Sequence, residues 1–109
     1  MYEVSGKCKE RFERMRSLDS VKKALEFIEK DQARTIEDQK ELVLIEAPTG
    51  HEENRAREFA ERLKALGLEQ VHIDQGGNVI SVMKGAGTGP KVLLEGHLDT
   101  VFPFGTVKT

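Results

Sequence analysis

Residues 91–103 read KVLLEGHLDTVFP. Val92, Leu93 and Leu94 form the short apolar run that a buried strand needs. The run breaks at Gly96 and is followed at once by His97, Leu98 and Asp99. In extended chain, residues i and i+2 point to one face. His97 and Asp99 therefore project together, and Leu98 turns away into packing. A neutral imidazole binds a metal through one ring nitrogen while the other donates to a carboxylate. His97 fits the metal-ligand role. Asp99 fits the catalytic partner that fixes the tautomer and orients the ring. Gly96 lets backbone pass close to whatever lies there. The carboxyl end of a strand is also where open α/β sheets place their sites. The same triplet has a plainer reading, a polar turn after a buried strand with a capping Asp.

Upstream, the hydrophobic period is helical. Leu18, Val21, Leu25 and Ile28 recur at three- and four-residue steps and predict a helix over Asp19–Ala33, capped by Ser17 or Asp19. A second helix is expected over Thr35–Glu46, stopped by Pro48; ELVLI is also short enough for a strand. Thr49-Gly50-His51-Glu52 has capping-box spacing and predicts a third helix, with Ala56, Phe59, Ala60, Leu63 and Leu66 facing inward. Gly67 suits a left-handed cap, with Leu68 folding back. His51 reads as an exposed histidine at the helix start.

Beyond Gly67 the period falls to two. Val71 and Ile73 alternate with polar residues, including an exposed His72, as in a half-buried strand. A turn at 75–77 leads to a second strand over Asn78–Met83. The glycine-rich loop 84–90 then connects, as in a hairpin, to the opening strand. It lacks the Lys-Ser/Thr and the following helix that a phosphate-binding loop requires. The fold class is therefore α/β, N-terminal helices followed by strands of a mixed sheet.

Composition narrows the function. The 109 residues are 38% hydrophobic and 33% charged, with a net charge of −2. Mixed charge and the absence of tryptophan give no footprint for nucleic acid. No apolar run approaches the ~18 residues that cross a bilayer. Cys8 is the sole cysteine, which suits a reduced, cytoplasmic setting. Residues 1–18 read as an N-terminal extension, a helix or a frayed leader.

LLEGHLDTVFP resembles the first metal-binding segment of a family of two-zinc hydrolases. The family includes peptidase T, carboxypeptidase G, carnosinase, acetylornithine deacetylase and succinyl-diaminopimelate desuccinylase. Its Gly-His-x-Asp-Thr-Val pattern is met here by Gly96, His97, Asp99, Thr100 and Val101. APTGHEENRA is similar to the family's turn into a helix. Asp74, Gly77, Asn78 and Val79 are similar to its Asp-x-x-Gly-Asn-Val turn, with one extra residue. The resemblance runs from Asp19 to Lys108.

It implies a three-layer zinc-peptidase catalytic domain, of which residues 19–109 are an incomplete, N-terminal piece. It also implies two zinc ions per complete site, with cobalt or manganese as substitutes, and a water activated for amide hydrolysis. His97 would bind one metal and Asp99 would orient it. The family's bridging Asp, its Glu pair, a further acidic ligand and its last His have no counterpart here. The expected activity is metal-dependent hydrolysis of a small peptide or N-acyl amino acid. The chain alone is expected to be inactive, and a homodimer is possible in a full-length protein. The alternatives are a non-enzymatic truncated fragment or a small interaction module.

Overall fold

A computed structural model describes residues 4–107. The chain divides into two compact units, Met1–Glu37 and Asp38–Thr109. Three helices come first, α1 (Gly6–Ser17), α2 (Asp19–Leu44) and α3 (Glu53–Ala65). Two strands follow, β1 (Glu69–Ile73) and β2 (Val79–Val82). Helices then strands is the order that the change of period predicts.

The first unit is helical. Ser5 caps α1, its hydroxyl accepting from the Cys8 amide at 3.4 Å. The expected extension is therefore helical where described; residues 1–3 lie outside the described part. Leu18 is extended (φ −65°, ψ 133°) and separates α1 from α2. Its carbonyl accepts the first bonds of α2, from Val21 and Lys22. Neither Ser17 nor Asp19 makes the cap. The Ser17 hydroxyl donates back to the Arg14 carbonyl at 2.7 Å.

Two helices were expected between Asp19 and Glu46; one continuous helix of 26 residues forms instead. The segment holds no Gly or Pro. Nothing in it forces a break, so backbone hydrogen bonding carries through Arg34 and Thr35. ELVLI is helical as far as Leu44. The apolar stripe of the first half is not buried, with Leu25 52% and Ile28 63% exposed.

The second unit is organised around α3. Ala47, Ala56 and Ala60 are its buried apolar side chains, and Arg55 is buried among them. The stripe of α3 is only partly interior. Phe59 and Leu63 are half-buried, and Leu66, expected inside, is exposed. The C-terminus of α3 closes as the sequence predicts. Gly67 takes φ +80°, its amide donates to Lys64, and Leu68 donates back to Leu63. This paired 5→2 and 6→1 bonding is a Schellman cap. Arg62 bonds Glu58 on its own helix, and Glu41 and Asp38 near the end of α2.

β1 and β2 form an antiparallel hairpin against which α3 packs. Between Glu69 and His72 the register slips by one residue. Gln70 sits there with φ 55°, the mark of a bulge. The hairpin turn is built on Asp74. Its Oδ1 accepts from the amides of Gly76 (2.8 Å) and Asn78 (2.9 Å), while Gly77 supplies φ +83°. His72 is exposed, as expected, and its Nδ1 lies 2.7 Å from the Gln70 carbonyl.

The largest departure concerns residues 91–95. The apolar run predicts a buried strand. The segment instead has no strand pairing, and Val92, Leu93 and Leu94 are 78%, 83% and 90% exposed. A strand exists only through a neighbour's ladder of hydrogen bonds. Among the described residues no strand lies beside this one, so sequence propensity has nothing to act on. The glycine-rich loop is consequently not a hairpin connection.

Candidate functional site

The site grows from the join between the end of α2, the turn before α3 and residues 96–100. Thr100 donates its amide to the Ala47 carbonyl at 2.8 Å, and Pro48 and Thr100 form an isolated parallel bridge. This single rung anchors the segment that carries His97 and Asp99. Thr49 was expected to cap α3. The helix starts later, with Glu52 at the cap position and no side-chain cap bond. Glu52 instead reaches back to the Gly50 amide at 2.6 Å. The Thr49 hydroxyl is drawn across to Asp99, donating to Oδ2 at 2.5 Å.

His97 and Asp99 come together as the i, i+2 argument requires. His97 Nδ1 lies 2.8 Å from Asp99 Oδ1 and 2.9 Å from the Asp99 carbonyl. The Thr49 hydroxyl, first, and then His97 hold the Asp99 carboxyl below the usual carboxylate range. Both neighbours of Nδ1 are acceptors, so Nδ1 carries a proton, and in the neutral ring Nε2 presents its lone pair. The His97 side chain is 83% exposed, against 26% for Asp99. The pair is thus a half-sheltered carboxylate steering an open imidazole. Leu98 is half-buried, in line with its opposite facing. Gly96 is less constrained than expected, since a Cβ there would meet nothing within 4 Å.

Arg55 holds this arrangement from beneath. Its Nε donates to the Ile45 carbonyl at 2.8 Å, its Nη1 to Leu98 at 2.7 Å, and its Nη2 to Val43 at 3.3 Å. A buried charge persists only when its donors are satisfied. Here the final carbonyls of a helix, which have no partner within it, supply acceptors. Burial pushes the Arg55 pKa down, and the Asp99 charge opposes that. Sequence reasoning missed both Arg55 and the role of Thr49. The available signal was position, since Arg55 lies four and eight residues before Phe59 and Leu63, on the edge of the apolar stripe.

Zinc takes four ligands in structural sites, and at least three from protein in catalytic ones. Among the described residues no group of three or more His, Cys, Asp or Glu side chains converges. His97 and Asp99 fit one ligand and its partner; these residues alone do not make a metal site. His51 is exposed, as expected, and packs at 5.6 Å against the ring of Phe104. A hollow of about 370 Å³ lies nearby, lined by Leu44, Ile45, Glu46, Asn54, Phe104 and Val107. Neither His97 nor Asp99 lines it. No helix among the described residues is long and apolar enough to cross a membrane.

The chain is similar to curated archaeal proteins that carry the provisional name LysW-lysine/LysW-ornithine hydrolase. It is 50% identical over 62 residues to the one from Pyrococcus abyssi, covering 57% of this chain and 18% of that protein. It is 46% identical over 66 residues to the Pyrococcus furiosus protein, 61% of this chain and 19% of that one. The Thermococcus kodakarensis protein is 37% identical over 62 residues, 57% of this chain and 17% of the relative. The matched part of the chain thus spans under a fifth of the length of these relatives. No family model and no solved structure matches. Relatives named as hydrolases agree with the hydrolase expectation.

Proposed function

We propose that this chain carries the first ligand-bearing segment of a metal-dependent hydrolase that cleaves an amide bond to an amino acid. The observation that carries the reading is the His97–Asp99 pair, with Nδ1 engaged by a carboxylate and Nε2 open. His97 would supply a neutral imidazole ligand through Nε2. Asp99 would hold the tautomer and raise the ring's basicity. Zinc is the ion proposed, with cobalt or manganese as replacements. When bound, it supplies Lewis-acid activation of water. The further ligands and the general base would come from outside these residues, so the chain alone is expected to be inactive.

The exposed Val92–Leu94 run supports the same reading. It has the composition of a buried strand and none of the neighbours. In a complete sheet it would be paired and covered. The relatives' name points to an amino-acid conjugate, LysW-lysine or LysW-ornithine, as the substrate class. A small peptide or N-acyl amino acid fits the same chemistry. A reduced cytoplasmic setting and a homodimeric full-length protein accompany the proposal. An interaction module is the competing reading, favoured only by the exposed apolar stripe of α2.

A chimera tests the proposal. The matching segment of the Pyrococcus abyssi relative is replaced by that of this chain, and LysW-lysine hydrolysis is measured with and without added zinc. The expected result is zinc-dependent hydrolysis that His97→Ala abolishes. A folded chimera whose activity ignores His97→Ala would overturn it.

A further inference from the structure

We infer that Thr49 is a positioning residue for His97, acting through the Asp99 carboxylate. The inference deepens the proposed role of His97 as a ligand and rests on it. The Asp99 carboxylate can rotate about its Cβ–Cγ bond, so that either oxygen, or neither, meets the imidazole. Two contacts fix the backbone on either side of that side chain, and a third acts on the carboxylate itself. Arg55 Nη1 fixes the Leu98 carbonyl at 2.7 Å, which sets the peptide entering Asp99. The Thr100 amide on the Ala47 carbonyl sets the peptide leaving it. The Thr49 hydroxyl then takes Oδ2, leaving Oδ1 directed at Nδ1 of His97.

Thr49 is suited to this by chemistry as well as by place. Its hydroxyl donates one hydrogen bond, and a β-branched side chain has few χ1 states to choose from. Pro48 and Gly50 on either side fix the backbone. Pro48 is tied to Thr100 by the bridge, and Gly50 turns the chain at φ +83°. The hydroxyl therefore arrives at Asp99 from a second piece of chain, held beside it by the Pro48–Thr100 bridge. The consequence for His97 is a tautomer opposite to that of a solvated imidazole. Nδ1 holds the proton and Nε2 the lone pair.

The test reads that tautomer directly, on the 109-residue chain, from imidazole 15N shifts at a pH where the rings are neutral. His51, whose ring nitrogens have no hydrogen-bond partner among the described residues, is the internal reference. In the wild type His97 is expected mainly as the Nδ1–H form, and His51 is not. Thr49→Val should lower the Nδ1–H to Nε2–H ratio of His97 by at most about fivefold, the net worth of one ordinary hydrogen bond, since the Asp99 carbonyl at 2.9 Å still accepts from Nδ1. Thr49→Ser should retain it. Should Thr49→Val fail to fold, Thr49→Ala against Thr49→Ser gives the same contrast. A folded Thr49→Val chain with an unchanged ratio, or a Thr49→Ser chain that loses it, overturns the inference. The readout needs neither metal nor substrate. Failure of the chimera to hydrolyse its substrate therefore leaves it standing, and failure here leaves His97 available as a ligand.

Discussion

Replacing Arg55 by Met removes the donors that join the end of α2 to the site while keeping much of the side chain's bulk. Arg55 is 5% exposed, and its Nε and Nη1 bonds, at 2.8 and 2.7 Å, are short. A fully buried acceptor stripped of its donor costs about 1–3 kcal/mol, and the Ile45 and Leu98 bonds are part-buried, so together they set a loss of at most about 2–6 kcal/mol. The bond to Val43 at 3.3 Å adds little. Against this stands the desolvation that the guanidinium no longer suffers, and apolar replacements of buried charges recover part of their cost. The net expectation is a loss of about 3 kcal/mol, a large share of the stability of a small unit whose buried apolar side chains are alanines. Arg55→Lys should recover less than half, because an ammonium cannot span carbonyls on two segments as a planar fork does. Urea unfolding followed by far-ultraviolet circular dichroism measures both. A loss below about 0.5 kcal/mol for Arg55→Met, the level of an ordinary surface change, would refute the claim that this guanidinium joins the helix end to the site.

In the chimera, Asp99→Ala should lower metal affinity or activity by about 10–100-fold, and Asp99→Asn should resemble it more than wild type; metal content and turnover measured together decide this. Leu98→Ala should cost about 1–2 kcal/mol, less than a fully buried leucine would, because Leu98 is half-buried; chemical denaturation reads it, with metal per folded molecule unchanged. Gly67→Ala should cost about 1–2 kcal/mol, the penalty of an L side chain in the left-handed region, seen as a lower thermal midpoint. Asp74 is held below the usual carboxylate range, chiefly by the Asn78 side chain and then its amide. A depressed folded pKa gives stability that is present above the unfolded value near pH 4 and lost as pH falls through the folded value. Amide exchange at Gly76 and Asn78 should therefore accelerate below about pH 4, once corrected for intrinsic rates.

Local rules explain what was legible. Gly67 and Leu68 announced their cap because a left-handed turn after a helix needs nothing but the helix itself. The hairpin from Glu69 to Val82 was readable from alternation, since each of its strands brings the other's partner. His97 and Asp99 could be placed on one face because i, i+2 geometry is a property of extended chain. What failed depended on distant groups. Thr49 and Glu52 had the spacing of a capping box, but a carboxylate 50 residues away competed for the hydroxyl and won. Arg55 went unread because the three carbonyls that meet it lie outside its own helix. Val92–Leu94 had strand composition, and composition cannot supply the neighbouring strand. The predicted break near Ala33 rested on Thr35 as a possible cap with Glu37 and Asp38 after it, whereas a helix ends where a breaker or a competing bond ends it.

The central claim is that His97, held by Asp99, is the imidazole prepared for a metal. Zinc titration of the 15N-labelled chain tests it most directly, because His51 and His72 sit in the same molecule as controls. His72 also has its Nδ1 engaged, but by the Gln70 carbonyl and not by a carboxylate. The account predicts weak binding centred on His97, with the zinc-induced shift at Nε2, Nδ1 still protonated, and a smaller response at His51 and His72. Asp99→Asn should reduce the His97 response to the level of the other two. An equal response from all three histidines, or a shift at Nδ1 of His97, would contradict it.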